Sequence, residues 1–277
     1  MKKIKFVALA CLCLMFSIQS CQKDDSPIEE VSVERAVSTE ILAKLADLQI
    51  NTNDVKIVDF YLPDGTTKEM IELEGDIYMS EKEIIALSPL VEDGLSRNYR
   101  TNNLVSQGKT ITIIGYTGGG GSGLSTKERT ALQWAVNNYN ALSSVSISFQ
   151  LTFGTDYQSK DMVVYHNPNQ SGSGGSAGFP SNGNPNKFVQ IYGLDIYDTN
   201  VVEHVITHEI GHSVGFRHTD WFNRASCGQN VNEGAGQAGA IDLGGNNPET
   251  SVMLACFSTS EDGEFGTDDV NALNIMY

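Results

Sequence analysis

The spacing of hydrophobic residues changes several times along this chain, and each change predicts an element. From Ser38, the residues Ile41, Leu42, Leu45 and Leu48 recur at helical spacing and share one face. Two strand-like runs follow, Val55-Lys56-Ile57-Val58 and Met70-Ile71-Glu72-Leu73, with Pro63-Asp64-Gly65 as a turn signal between them. Ser80 to Leu90 reads as a second short helix. Residues 91–108 hold few large apolar side chains and several arginines and asparagines, the composition of an exposed linker. Thr110 to Tyr116 then alternates as a strand. Ser125 and Glu128 form a capping box for a helix on which Leu132, Ala135, Val136 and Tyr139 share a face. Ser146 to Phe153, Met162 to His166 and Phe188 to Tyr192 are strand-like, and the Gly/Ser/Asn-rich stretch 167–187 between the last two reads as a loop. Thr199 to Gly215 predicts a helix, and Thr267 to Tyr277 a short terminal one opened by Asp268 and Asp269. The order predicts a mixed α/β (α+β) fold: a small α+β unit with its linker at 37–108, then a larger unit with one sheet at 109–277.

The N-terminus reads differently. MKKIKFVALACLCLMFSIQS has a basic start and an apolar run too short to span a membrane, which predicts a signal peptide over 1–20. Ile18-Gln19-Ser20 before Cys21 resembles a relaxed bacterial lipobox. By that resemblance Cys21 is lipidated, 21–36 is a tether, and the protein is an exported lipoprotein of the outer membrane. An ordinary signal peptide cut nearby is the alternative. Gln22-Lys23-Asp24-Asp25 resembles a short surface-export tag and points to the cell surface. Cys11 and Cys13 leave with the leader, so Cys227 and Cys256 remain, and in an exported protein two leftover cysteines most simply pair.

Composition narrows the function classes. The formal net charge is −16, with no basic stripe to replace phosphate counterions, so nucleic acid is not an expected partner. The acidity itself reads as solubility. Gly118 to Gly121 lacks the Gly-Lys-Ser/Thr ending of a phosphate-binding loop and reads as a flexible connection. Asp262, Glu264 and Asp268 match no calcium-loop spacing, so calcium is left open. Nothing in the chain sets an oligomeric state, and a monomer is the default.

Chemistry concentrates in HEIGHSVGFRH, residues 208–218, which hold three of the five histidines. His208 and His212 lie one helical turn apart on one face, near enough to share a metal ion. A third ligand four residues further along the same helix would sit too far along the axis, so the chain must turn back. Gly215 is where it can do so, and His218 follows. Three imidazoles and an open position suit a catalytic zinc site. Glu209, beside His208, can reach that open position as general base for a water molecule. Gly211 in mid-helix costs about 1 kcal/mol relative to alanine, which predicts close packing there. His204, four residues before His208, reads as a packed or outer-row histidine, and His166 likewise as packed.

The pattern His208-Glu209-Ile210-Gly211-His212, Gly215, His218, Thr219-Asp220 resembles the metzincin clan of zinc endopeptidases, most closely the bacterial dual-action HEIGH metallopeptidases. The resemblance covers 110–277 and implies a metzincin-like catalytic domain with a mixed twisted sheet, an active-site helix and a C-terminal helix. It also implies a turn in which Met253, in Ser251-Val252-Met253, lies beneath the metal. Zinc-dependent hydrolysis of a protein or peptide substrate is the implied activity. Where the related astacins carry a tyrosine two residues after that methionine, this chain has Ala255, which leaves oxyanion stabilisation to other groups. Asp220 is expected to accept a hydrogen bond or salt bridge near the site. Leu73-Glu74-Gly75-Asp76-Ile77 resembles the astacin propeptide motif that places an aspartate on zinc. Asp76 is then a latency ligand in a zymogen, released by cutting near Arg97 or Arg100; a plain Gly-Asp turn is the alternative. The upper rim of the cleft is expected at the edge strand near Ala177 to Ser181. A surface lipoprotein that uses the zinc scaffold for binding or adhesion is the alternative function, and intact Glu209 argues against it.

Overall fold

The computed structural model describes residues 35–48, 50, 52, 54–88, 99–229, 241–242 and 250–277. The expectations for the leader, for Cys21 and for Arg97 lie outside the described residues. Arg35–Tyr277 forms one compact unit of mixed α/β structure.

The N-terminal elements are helix α1 (Thr39–Asp47), strands β1 (Lys56–Tyr61), β2 (Thr67–Leu73) and β3 (Ile77–Met79), and helix α2 (Glu81–Ala86). Ser38 caps α1, and Ser80 with Glu83 makes a full capping box on α2. The strands pair antiparallel in the order β1-β2-β3. Ile41, Leu45, Ile71, Leu73, Met79 and Ile84 pack as one cluster, into which the more distal Phe179 also inserts.

The short strand β4 (Tyr99–Arg100) pairs with β10 (Ile241–Asp242). The main sheet contains β5 (Thr110–Tyr116), β6 (Ser148–Gly154), β7 (Met162–His166), β8 (Gly174–Ser176) and β9 (Phe188–Tyr192), in the order β6-β5-β7-β9-β8. All neighbours are parallel except β8, which runs antiparallel to β9 at the edge. Helix α3 (Thr126–Ala141), helix α4 (Thr199–Val214) and helix α5 (Thr267–Met276) belong with one face. There, Ile111 and Ile113 of β5, Val164 of β7 and Ile191 of β9 meet Leu132, Val136, Ile206, Ile210 and Leu273. The alternate residues Ile114, Tyr116, Val163 and Tyr165 form a second cluster on the opposite face, against Tyr61. A largely parallel sheet buried on both faces needs apolar residues on both phases of its strands, and β5 and β7 have them.

The edge strand differs from the expected one. It is Gly174–Ser176, inside the stretch read as a loop, and it ends where the rim was expected to begin. Ala177 instead makes a parallel bridge to Ile77, so the small N-terminal sheet abuts this edge. Helix α2 is also shorter than expected, ending at Ala86.

Candidate metal centre

Every described residue of α4 from Val201 to Val214 is buried, so both imidazoles of His208 and His212 are held in the interior. Gly211 answers its own cost. A Cβ there would lie 2.5 Å from the Met253 sulfur, so only glycine lets that methionine seat against the helix. At Gly215 the backbone takes φ of 120°, and a Cβ would meet Leu104 at 2.7 Å. The helix ends there, Phe216 donates back to the Gly211 carbonyl at 3.0 Å, and the chain brings His218 round.

The three histidines converge. His212 Nε2 is 2.9 Å from His208 Nε2 and 3.1 Å from His218 Nε2. Asp76 Oδ2 lies 2.9 Å from His218 Nε2, 3.7 Å from His208 Nε2 and 4.0 Å from His212 Nε2. All four atoms fall within 4.8 Å of one another, the one such group able to hold a metal among the described residues.

The hydrogen bonds behind the rings test whether a cation fits. His208 Nδ1 donates to the Val252 carbonyl at 2.7 Å, and His212 Nδ1 donates to the Phe216 carbonyl at 2.9 Å. A carbonyl only accepts, so each Nδ1 carries the proton and each Nε2 presents a lone pair. Lone pairs facing each other at 2.9 Å repel unless a cation lies between them. Ligands about 2 Å from a tetrahedral ion stand roughly 3.3 Å apart, within the spread of separations seen here. The donor set fits a borderline divalent metal. Burial, with the neighbouring His208 and His218, holds His212 well below the ordinary histidine range, which keeps its imidazole neutral.

Ser251, Val252 and Met253 are fixed from α5. The buried Asp269 carboxylate accepts from Ser251 Oγ at 2.6 Å, from Val252 N at 3.1 Å and from Gly266 N at 3.0 Å. Thr219 N donates to the Met253 carbonyl at 2.8 Å, tying this turn to the residue after His218. Asp269, read from sequence only as a helix opener, thus positions the segment that orients His208. Asp220 accepts from Ala255 N at 2.9 Å and from Ser226 N and Oγ at 2.9 and 2.7 Å. It joins two stretches that the Cys227–Cys256 disulfide also joins.

Glu209 is 2% exposed and rests against β8, where a Cβ on Gly175 would lie 2.7 Å from Glu209 Oε1. Burial raises its carboxyl well above the usual range, and the Asp76 charge adds to this. Asp76 moves the other way: burial alone would raise it, but the neighbouring histidines, His218 foremost, carry it far below the usual range. A cavity of about 320 Å³ opens beside these groups, lined by Glu209, His204, Val205, Tyr192, Ala255 and Phe257 among others. His204 stands in its wall, outside the metal-ligating group. Burial, then His208, lowers its pKa to about 3, so it is neutral. His166 is 2.8 Å from Glu128 and is not part of the metal-ligating group.

Asp76 arrives from the β2–β3 hairpin. Leu73 pairs with Ile77, which leaves Glu74, Gly75 and Asp76 as the loop, and Glu74 and Gly75 adopt φ of 52° and 92°. The Asp76 carbonyl accepts from Ala177 N at 3.0 Å, and Tyr78 N donates to the Ala177 carbonyl at 2.6 Å. Glu74 makes a buried ion pair with Arg217. Neither Glu74 nor Arg217 was singled out in the sequence, since 143 residues separate them and no local pattern links them.

No curated protein matches this chain. Among solved structures, two of myroilysin are similar. One has 15% identity, covers 64% of this chain and 86% of its own, and gives a TM-score of 0.40. The other has 16% identity, covers 65% and 98%, and gives a TM-score of 0.38. The family model of the dual-action HEIGH metallopeptidases matches residues 71–277, and the chain belongs to that family, as a metallopeptidase acting on protein or peptide substrates.

Proposed function

We propose that this protein is a zinc-dependent endopeptidase, made as a latent precursor and exported with a lipid anchor on Cys21. The observation that carries the peptidase reading is the convergence of three imidazole nitrogens beside a buried glutamate. Zinc, when bound, lowers the pKa of its water to about 7 and polarises the scissile carbonyl. His208, His212 and His218 hold it through Nε2, and the Val252 and Phe216 carbonyls keep two of those rings in the tautomer that can bind. Glu209 takes the proton of the attacking water and delivers it to the departing amine as the peptide bond breaks. Gly175 lets the glutamate stand close against β8. An extended substrate adds as a further strand along that edge.

Latency follows from the hairpin. Asp76 occupies the place beside the three imidazoles that a water would need, and its backbone uses the same edge residue, Ala177, that a substrate strand would use. Activation requires a cut between the hairpin and β5. Arg100 lies within β4, bridged to Phe216 and paired with Ile241, so it is a poor site for an activating protease. Of the two arginines, this favours Arg97 as the cleavage position. The support for export and for lipidation is the leader sequence alone.

Metal analysis and protease assays on the processed protein test this reading. One zinc per chain is expected, with casein cleavage abolished by chelator and restored by zinc. Glu209→Gln should keep the metal and lose about 10²- to 10⁴-fold in rate. Cleavage that survives complete metal removal, or an unimpaired Glu209→Gln protein, would overturn it.

A further inference from the structure

The loop that carries Asp76 brings a second carboxylate into the interior. Glu74, two residues earlier, forms an ion pair with the Arg217 guanidinium, and both side chains are at most 2% exposed. Its other oxygen lies 3.8 Å from His218 Nδ1. One imidazole therefore faces Asp76 through Nε2 and Glu74 through Nδ1.

The cationic half of this arrangement is built by residues outside the hairpin. The Arg217 guanidinium lies 4.4 Å from the centre of the Trp221 ring, itself 1% exposed. Trp221 in turn packs edge-on against Tyr99, and Arg217 N donates to the Tyr99 carbonyl at 2.8 Å. A guanidinium stacked on an indole keeps its edge of N–H donors for an anion in the same plane. The fork is thus pre-set by Tyr99, Arg217 and Trp221. These follow the proposed cut and stay when the hairpin leaves, taking its carboxylate with it. Glu74 also accepts a left-handed φ of 52°, a conformation that suits glycine, in the position from which its carboxylate meets the fork.

We propose that Arg217 anchors a substrate subsite for a carboxylate side chain, and that Glu74 fills this subsite in the precursor. The inference rests on the peptidase reading above and adds the substrate class. The subsite lies on the His218 side of the metal centre. The 320 Å³ cavity is lined by His204, Val205 and Phe257 on the His208 side and reaches Glu74 and Asp76 at its other end, with Arg217 behind Glu74. Glu74 and Asp76 are two residues apart and span both points, so a substrate side chain within about three residues of the scissile bond reaches the fork. A guanidinium fork matches a planar carboxylate in two parallel hydrogen bonds, which an amide of the same shape cannot reproduce.

The test compares processed protein with peptide pairs that differ only in Glu against Gln at each position flanking the cut. Wild type should show one position at which Glu raises kcat/KM by about 10- to 100-fold, mostly through KM. In Arg217→Gln that ratio should fall towards one, Arg217→Lys should restore part of it, and Arg217→Glu should reverse it so that Gln is cut better than Glu. Wild type that cuts the peptides with no position favouring Glu overturns the subsite and leaves the peptidase reading standing. A ratio retained in Arg217→Gln overturns it equally. Wild type that cuts no peptide at all overturns the peptidase reading and the subsite together.

Discussion

The metal centre is assembled from two unlike kinds of structure. His208 and His212 stand on a helix buried along its length, each ring pinned by a carbonyl behind it. Asp76 reaches the same point from a three-residue loop whose first two residues hold positive φ. Such backbone costs of order 1–3 kcal/mol for a non-glycine residue, and the surrounding contacts must offset it. On the helix side the ligands are positioned by the hydrophobic core and by the carbonyls behind their rings. On the hairpin side the strands pack through Leu73, Ile77 and Phe179, but the loop that carries the carboxylate is held by polar anchors: Asp76 itself, the Glu74–Arg217 pair and two backbone hydrogen bonds to Ala177. The helix residues and the loop residue thus differ in what holds them, although their atoms meet within 4.8 Å; the proposed latency uses that difference.

The largest expected effect comes from breaking the hairpin's own anchor. Glu74→Ala removes the carboxylate paired with Arg217 in a buried place, and breaking a buried pair costs about 3–5 kcal/mol. The precursor should denature at lower denaturant concentration and gain peptidase activity sooner than wild type. Asp76→Ala should likewise shorten the lag while the protein still binds one zinc. Precursors of both variants with unchanged midpoints and lag times would mean that the sheet contacts alone hold the hairpin, and the contrast drawn above would fail.

A smaller effect separates positioning from stability on the helix side. Gly175→Ala would push a methyl group to within 2.5 Å of Glu209 Cγ. The glutamate is the end of a flexible chain and can swing away, so the fold should hold while the base is displaced. A displacement of about 1 Å can cost roughly 10²-fold in rate. The expected result is that loss in kcat with unchanged zinc content and thermal midpoint. An equal fall in stability would show that β8 and α4 cannot part locally.

The same contrast explains what the sequence could reveal. Helix α4 was legible because its chemistry is local: two histidines one turn apart, a glutamate between them and a glycine at the turn. The Ser125–Glu128 capping box was legible for the same reason, both partners lying in one turn. Strand β8 was not, because Gly174 and Gly175 give no alternation of apolar and polar residues. Their bareness has a cause that only the fold shows, the close approach of Tyr192 and Glu209. The Gly211–Met253 contact was half legible: the mid-helix glycine announced a close neighbour without saying which. Asp269, Glu74 and Arg217 draw their roles from partners far along the chain, and no periodicity records such pairs.

The smallest effect concerns a histidine on neither side of that contrast, and it serves as a control. His166 and Glu128 lie 2.8 Å apart, at the end of β7 and the start of α3, outside the metal-ligating group. The hydrogen bond to Glu128 raises the His166 pKa above its ordinary 6.5, burial opposing it. Burial would raise Glu128 too, but the hydrogen bonds from His166 and Ser125 bring it below its ordinary 4.5. The raised histidine stabilises the fold fully below pH 6.5 and loses that contribution as pH rises through its folded value. The lowered glutamate contributes fully above pH 4.5 and loses it as pH falls through its own. Together they stabilise most between pH 4.5 and 6.5. The gap in thermal midpoint between wild type and His166→Gln, worth about 1 kcal/mol or less, should be widest in that window and shrink on both sides. Peptidase activity should not follow this gap. If it does, the centre is coupled to the sheet through α3, and the separation between a rigid ligand set and a detachable one is less complete than the geometry implies.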